Sequence, residues 1–415
     1  MACRRRCAKR CGGCRPGWTT AVPLVAAFAI AAVLAACGPG PVETGDTTTT
    51  SDAGTPIPLR HARYLTLQQH DGYVVAQLRA PVADQGGARE TRSDTLVLLS
   101  GGVDAPPLTG ALRHATVVRV PVATIAANNG VDEAFLSTLG VSNRLVAVGG
   151  LRSYDAATRE RARRGEIAQI GYNWHTPPNL DVLIARQPDV FLMRLSDLAQ
   201  TPVLARARAL GLTVVPTFAE EEPTYLGRAE WIRLFGLLTG TDAAASRVFD
   251  EIETNVDALK ARVAGRPKPG VLWAYPNGAD RWVATVRGAE AAFIADAGGT
   301  NLMARAEDPA RWPTETVSSE ALLPLADRTG LWLIGDIHAV PPRGRAVLDA
   351  FPAWRLGRLY GNTGRSLPGE DVHDWYQTAV VRPDWVLGDF VKMLHPGLRS
   401  EPFRFLKPLS QDVYQ

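Results

Sequence analysis

The stretch DAAASRVFDEIETNVDALKARVAG, residues 242–265, is the most periodic part of the chain and decides how the fold is divided. Its apolar residues recur at steps of four, four, three and four, the spacing of one buried helix face. They are Val248, Ile252, Val256, Leu259 and Val263. Thr241 or Asp242 can cap the helix, and Gly265 with Pro267 ends it. At 1.5 Å per residue its length would be about 35 Å, which suits a strut between two lobes.

Strand and helix patterns alternate on both sides of this helix. Before it we expect strands at 117–121, 145–148, 189–193 and 213–216, and helices at 131–139, 179–187, 198–210 and 226–238. After it we expect strands at 270–274, 282–286, 331–334 and 358–360, and helices at 290–297, 319–325, 345–351 and 384–394. Such alternation is typical of parallel sheets covered by helices. The sequence therefore predicts an α/β fold of two lobes joined by a single long α-helix, with a ligand cleft between the lobes.

The region before the first lobe has a different pattern. Runs rich in β-forming residues at 64–67, 73–78 and 95–99 are separated by Asp-Gly and Gly-Gly pairs and predict a small antiparallel unit. Residues 38–58 are rich in Gly, Pro, Thr, Ser and Asp, a composition that favours a flexible tether. The predicted divisions are a signal peptide at 1–36, a tether at 37–58, a first lobe with extra strands at 59–241, the connecting helix at 242–265, a second lobe at 266–400 and a tail at 401–415.

The N-terminus has the pattern of a bacterial lipoprotein signal. A basic segment precedes an apolar run at 21–36, which is too short to span a bilayer comfortably, and Leu34-Ala35-Ala36-Cys37 closes that run. The pattern predicts cleavage before Cys37, lipidation of its thiol and an extracytoplasmic, membrane-tethered protein. The alternative interpretation is an uncleaved N-terminal anchor.

Removal of residues 1–36 changes the charge balance. The segment holds six of the 45 basic residues and no acid, so 39 bases remain against 42 acids, a formal charge of −3. This balance gives no support to a nucleic-acid partner. Cys3, Cys7, Cys11 and Cys14 resemble a zinc cluster in spacing, but they lie in the discarded segment. We predict no protein-bound metal and no cofactor.

Several motifs occur in the order of a known family. They are LGVSNRLVAVG at 139–149, NLDVLIARQPDV at 179–190, AGGTNL at 297–302 with VSSEAL at 317–322, and VVRPDWVLGDF at 380–390 followed by His395-Pro396. From about residue 60 to residue 400 the chain resembles class III periplasmic substrate-binding proteins of ABC importers, which capture iron–siderophore complexes, haem or cobalamin. The resemblance implies two Rossmann-like lobes bridged by one long helix, with a largely preformed cleft.

The resemblance also implies partners, an ABC permease and its ATPase. Family members dock through one acidic residue in each lobe, and such charge pairs fix orientation. Glu320 stands in the matching motif of the second lobe, where complementing a helix dipole is the alternative role. In the first lobe the matching position is Ala134, so Glu133 is the nearest candidate.

Aromatic residues at strand ends and in loops are the best candidates for the ligand site. Large flat side chains suit a bulky chelate, and arginines can pair with its anionic groups. The predicted ligand-binding residues are Trp174, His175, Arg194, Tyr275, Arg281, Trp282, Trp312, Asp374, Trp375 and Tyr376. Trp231, Trp332 and Trp385 are expected in the core. His175 or His373 could coordinate a metal directly, and Tyr275 or Tyr376 could bind ferric haem through phenolate.

Catalytic motifs are absent from the sequence. It contains no Gly-x-Ser-x-Gly elbow, no His-Glu-x-x-His pair, no phosphate-binding Gly-x-x-x-x-Gly-Lys-[Ser/Thr] loop and no Gly-x-Gly-x-x-Gly turn. We therefore predict a solute-binding protein and no enzyme, with a ferric siderophore as the first choice of ligand and haem or cobalamin as alternatives. A lipid-anchored hydrolase and a structural lipoprotein are the competing classes.

Overall fold

The computed structural model describes residues 54–84, 87–172, 176–278, 280–308, 311–335 and 347–409. Cys37, Trp174 and His175, three of the predicted functional residues, lie outside these ranges, as do the signal peptide and most of the tether. No helix within these ranges combines the length and apolar character that crossing a bilayer requires.

An extra sheet of five strands precedes the first lobe. Its strands, in spatial order, are β1 (Thr55–Ile57), β2 (Leu65–His70), β3 (Tyr73–Ala83), β4 (Arg89–Ser100) and β5 (Thr116–Val120). The first four pair antiparallel, as expected, and β3 and β4 form a hairpin longer than predicted. The strand predicted at 117–121 belongs to this sheet rather than to the lobe, because β5 pairs parallel with β4.

The first lobe is built on a sheet of five parallel strands. They are β6 (Ile125–Ala127), β7 (Leu145–Val148), β8 (Ala168–Gln169), β9 (Val190–Arg194) and β10 (Val214–Thr217), in the spatial order β10-β9-β6-β7-β8. Its helices are α1 (Gly130–Thr138), α2 (Ala156–Arg163), α3 (Leu180–Arg186), α4 (Thr201–Ala209), α5 (Tyr225–Glu230) and α6 (Ile232–Thr239). Strands buried on both faces explain the continuous apolar runs of the sequence.

The long helix predicted from the opening stretch forms as α7 (Asp242–Val263). Phe249 and Ile252 in its first half pack in the core of the first lobe. Val256, Leu259 and Val263 in its second half pack in a second core with strands and helices that follow it. One apolar stripe therefore serves two cores, and the role of α7 as the only joint between the lobes stays a prediction.

The second lobe is built on a mixed sheet of seven strands. They are β11 (Gly270–Pro276), β12 (Arg281–Thr285), β13 (Thr300–Asn301), β14 (Thr314–Ser318), β15 (Leu331–Leu333), β16 (Leu359–Gly361) and, after a small hairpin of β17 (Ser366–Leu367) and β18 (Val372–His373), β19 (Lys407–Pro408). β11, β13, β15 and β16 pair parallel, and the other pairs are antiparallel. The helices are α8 (Gly288–Asp296), α9 (Ser319–Leu322), α10 (Pro352–Arg355), α11 (Thr378–Val381) and α12 (Pro383–Leu394). The predicted α/β class is confirmed.

Two buried carboxylates fasten the extra sheet to the first lobe. Glu230 at the end of α5 accepts the backbone N–H groups of residues 60–62 at 2.7, 2.7 and 2.8 Å. Glu222 accepts the N–H groups of residues 63–64 and, at 3.0 Å, the indole N–H of Trp231. Burial raises the pKa of Glu222 above its ordinary value, although these hydrogen bonds act to lower it. Five consecutive amides of the entering chain are thus held by two side chains.

Candidate functional site

The carboxyl ends of the five parallel strands of the first lobe open onto one cleft, of about 580 Å³. Each strand supplies lining residues at or just after its end. They are Asn129 and Gly130 after β6, Arg152 after β7, Tyr172 after β8, Arg194 at the end of β9 and Glu220 after β10. Open parallel sheets bind ligands at this edge, since the loops that follow the strands converge there.

The rest of the lining comes from later parts of the chain. Arg228 of α5 and Glu290, in the first turn of α8, lie side by side in the wall. A segment that we call the interlobe arm, residues 365–377, contributes Asp371, His373, Tyr376 and Gln377. The cleft therefore lies between residues of both lobes.

Gln377 fixes the interlobe arm to the first lobe. Its side-chain oxygen accepts the backbone N–H of Tyr154 at 2.7 Å, and its side-chain nitrogen donates to the backbone oxygen of Arg152 at 2.7 Å. Residue 130 has to be a glycine for this contact, because a Cβ there would lie 2.7 Å from Cγ of Gln377. Asp371, nearer the tip of the arm, forms an ion pair with the Arg152 guanidinium.

Two further ion pairs cross the cleft lining. Nε of Arg194 lies 2.8 Å from Oε2 of Glu220, an oxygen that also accepts the Asn129 amide at 2.8 Å. Nη1 of Arg228 donates to Oε1 of Glu290 at 2.6 Å. Burial alone would raise the pKa of Glu290, but the charge and hydrogen bond of Arg228 outweigh it and hold that pKa below its ordinary value.

Two buried acids occupy the first turn of α1, the helix that begins at Gly130 of the cleft lining. Burial raises the pKa of Asp132 to about 7, against a hydrogen bond of 3.0 Å from the Thr217 hydroxyl. Burial also raises the pKa of Glu133 to about 8, with the Ser153 hydroxyl opposing it. The docking role predicted for Glu133 does not fit, because the residue is only 2% exposed and its carboxylate cannot meet an arginine of another protein. Glu320, in contrast, is exposed in the first turn of α9.

Arg194 and Tyr376 are the predicted ligand-binding residues that the structure brings into the cleft. Tyr376 is 46% exposed, so its ring is accessible to a ligand. His373, considered above as a direct metal ligand, also lines the cleft, and its Nδ1 lies 3.0 Å from the Ser366 hydroxyl. Among the described residues, no three His, Cys, Asp or Glu side chains cluster so that they could hold a metal ion.

Two predicted site residues are structural instead. Trp282 is 1% exposed and packs on Trp332 in the core of the second lobe, with its indole N–H donating to the Ser319 hydroxyl at 3.1 Å. Asp374 is completely buried and pairs with Arg365 at 2.5 Å, so it shapes the interlobe arm rather than contacting a ligand. Trp332 and Trp231 are core residues, as expected, whereas Trp385 is only half-buried.

Four other predicted residues do not line the cleft in the described structure. Trp375 packs edge-on against Trp273 and Phe405. Trp312 lies under the Arg89 guanidinium of β4, 5.2 Å from the ring centre. Tyr275 and Arg281 belong to the paired strands β11 and β12.

Sequence reasoning missed most of the polar lining. The missed residues are Asn129, Gly130, Arg152, Tyr172, Glu220, Arg228, Glu290, Asp371 and Gln377. For Arg152 and Glu220 a usable signal was present, since they follow the strands predicted at 145–148 and 213–216. Asn129, Gly130 and Tyr172 follow β6 and β8, which the sequence did not predict. For Arg228, Glu290 and the arm residues, only the three-dimensional arrangement brings them to the cleft.

Comparisons with known proteins agree with this architecture. The sequence profile described as periplasmic binding protein matches residues 125–354, more than half of the chain. A periplasmic haem-binding protein from Pseudomonas aeruginosa aligns with a TM-score of 0.53 at 18% identity, over 70% of this chain and 99% of that one. Helicobacter pylori CeuE with bound Ni(II) aligns with a TM-score of 0.51 at 12% identity, over 68% of this chain and 86% of that one.

Similar sequences are found among archaeal lipoproteins. An uncharacterised lipoprotein of Methanocaldococcus jannaschii is 21% identical over 301 residues, which are 68% of this chain and 67% of the relative. A second one from the same organism is 23% identical over 362 residues, 82% of this chain and 83% of the relative. The extra sheet, at residues 55–120, precedes the part that the profile matches. By its profile match and its two-lobe α/β fold, the chain belongs to the periplasmic binding protein family.

Proposed function

We propose that this protein is the extracytoplasmic, lipid-anchored solute-binding component of an ABC importer, which captures a metal chelate and delivers it to the permease. The observation that carries the proposal is the cleft of about 580 Å³ between the strand ends of the first lobe and the interlobe arm. A cleft of this size at such a place suits a small-molecule ligand. Membership of the periplasmic binding protein family and the naming of two relatives as lipoproteins support the cellular location.

A ferric siderophore is the ligand that we propose first, with haem and cobalamin as alternatives on the same scaffold. The described lining is dominated by charged and hydrogen-bonding groups, with Tyr172 and Tyr376 as its aromatic residues. Such a lining favours a chelate with many polar groups over a large apolar macrocycle. The haem-binding neighbour from Pseudomonas aeruginosa keeps haem as the main alternative.

Binding of probes to the purified full chain tests the proposal. A ligand that binds only the folded state raises the melting temperature according to RT ln(1 + [L]/Kd). We expect such a rise with at least one of ferrichrome, ferric enterobactin, haemin and cyanocobalamin. No rise with any of them at saturating concentrations would contradict the function.

Two variants show whether the cleft is the binding site. Tyr376→Ala removes an accessible ring from the lining, and we expect it to weaken binding of the active probe about tenfold. Leu356→Ala is the matched control, because Leu356 is 63% exposed and does not line the cleft. Equal affinities of the two variants would place the ligand elsewhere.

Glu320 is our proposed contact with the permease in the second lobe. Glu320→Lys should reduce uptake of the chelate into cells while the affinity of the purified protein is unchanged, since charge pairs at an interface fix orientation. Asp327→Lys, a reversal at another exposed acid of the same lobe, is the control. Loss of ligand affinity in Glu320→Lys would contradict the assignment. Because Glu133 is buried, we assign no docking acid in the first lobe.

We propose Cys37 as the lipidated residue. Cys37→Ser should release the protein from the membrane fraction and abolish incorporation of a labelled fatty acid. Continued membrane association without the label would favour the uncleaved anchor instead.

A further inference from the structure

Each arginine of the described cleft lining forms an ion pair with an acid of the same lining. Arg194 pairs with Glu220, Arg228 pairs with Glu290, and Arg152 pairs with Asp371. Three positive and three negative side chains give the described lining a formal charge of zero with His373 neutral. An anion entering the cleft therefore meets no excess of positive charge.

Two of the three pairs are shielded from solvent, which strengthens their electrostatic attraction, whereas the Asp371 side chain of the third pair is 62% exposed. The side chains of Arg194 and Glu220 are 22% and 18% exposed, and those of Arg228 and Glu290 are 16% and 30% exposed. Breaking such a pair leaves a partly buried carboxylate without its counter-charge, which is costly. An anionic ligand would have to displace that carboxylate or bind beside it, and both options oppose tight binding.

The remaining described lining residues suit a neutral polar ligand. The side chains of Asn129, Gln377, Tyr172, Tyr376 and His373 are polar and carry no fixed charge. Gln377 uses both ends of its amide to hold the arm, so the arm keeps its place without help from the ligand. The lining thus offers hydrogen-bonding groups and two aromatic faces around a charge-balanced centre.

We propose that the cleft selects metal chelates that carry no net charge, such as ferric tris-hydroxamates, over polyanionic chelates such as ferric tris-catecholates. The inference rests on the proposed function, because it assumes that a chelate occupies this cleft. It goes beyond that function by naming the charge class of the cargo. Specificity here comes from the acids, which reject anions, as much as from attractive contacts.

The affinities of two probes measure this preference in the full chain. Ferrichrome is a neutral ferric tris-hydroxamate, and ferric enterobactin is a triply anionic ferric tris-catecholate. Quenching of tryptophan fluorescence gives both dissociation constants at one ionic strength. We expect ferrichrome to bind at least about tenfold more tightly.

Removal of one acid should reduce the discrimination. Glu220→Gln keeps an acceptor for Asn129 and removes one negative charge beside Arg194, so the affinity for ferric enterobactin relative to that for ferrichrome should rise about tenfold. Asp371→Asn, at an exposed position, repeats the test at Arg152 if the first variant folds poorly. Glu315→Gln is the matched control, because Glu315 pairs with Arg287 at 2.8 Å outside the cleft and should change neither constant.

The outcomes separate this inference from the function on which it rests. Tighter binding of ferric enterobactin by the wild-type protein would overturn the inference and support the function. Unchanged constants in both cleft variants would also overturn it. Binding of neither probe, nor of haemin or cyanocobalamin, would overturn the proposed function and the inference together.

Discussion

Replacing Glu230 by alanine is the strongest test of how the extra sheet is attached to the first lobe. The carboxylate is 2% exposed and accepts three consecutive backbone N–H groups, those of Arg60, His61 and Ala62. Alanine would leave these donors without their acceptor. The segment that enters the extra sheet would then lose its main polar contact with α5.

The expected loss follows from the hydrogen bonds that disappear. A hydrogen bond to a charged group contributes about 1.5–3 kcal/mol, and the donors here are partly buried, so water replaces some of the lost bonds. We expect Glu230→Ala to lower the free energy of unfolding by about 3–5 kcal/mol. Glu230→Gln keeps one acceptor oxygen and should lose about half as much.

Urea unfolding followed by tryptophan fluorescence measures this loss, and hydrogen exchange at residues 60–62 shows where it occurs. The matched control is Glu253→Ala. Glu253 contacts Arg60 and His61 only through their side chains and is 23% exposed, so its removal should cost less than about 1 kcal/mol. The reasoning is refuted if Glu230→Ala costs no more than Glu253→Ala, or if the amides of residues 60–62 keep their protection.

Three further predictions concern the lobes. The pKa of Glu133 is about 8 in the folded state against an ordinary 4.5, so between these values the folded state keeps a proton that the unfolded state has lost. The free energy of unfolding should therefore fall from pH 5 to pH 8. Glu133→Gln should flatten this dependence, as urea unfolding at each pH would show. Gly130→Ala should cost about 1–3 kcal/mol by displacing Gln377, and Gln377→Ala in the same chain should remove most of the extra cost, as a double-mutant cycle would report. Asp389→Ala should lower the thermal midpoint by several degrees, because this α12 carboxylate accepts three backbone N–H groups at residues 404–406; an unchanged midpoint would contradict its role.

Elements with their own periodicity were predictable from the sequence. The strand predicted at 145–148 coincides with β7, and the helix predicted at 242–265 forms as α7. β6 was missed because it has three residues, too few for a pattern, and depends on β7 and β9 for its hydrogen bonds. α2 was missed because Thr158 and Ala162 are its only buried residues, which leaves no apolar stripe.

The candidate site was less predictable because composition does not show which way a side chain points. Aromatic residues at strand ends were expected to contact the ligand, but Trp282 faces the core of the second lobe, where it packs on Trp332. The interlobe arm could not be placed either, because its contact with Gly130 depends on the packing of two distant segments. What the sequence contained was the alternation that predicted β7, β9 and β10, and part of the cleft lining lies at the ends of these strands.

At the carboxyl edge of the parallel sheet, the backbone holds the fold and the side chains line the cleft, and this affects how ligand specificity can change. Each of the five parallel strands is held by backbone pairing with its neighbours, while residues at or just after its end line the cleft. Exchanges at these strand ends leave the backbone pairing of the sheet in place, although Arg194, Glu220 and Asn129 contact one another and would have to change together. Paralogues with the same sheet could therefore differ in the ligand that they bind. We expect Glu220, the acid after β10, to be the position at which ligand specificity changes first.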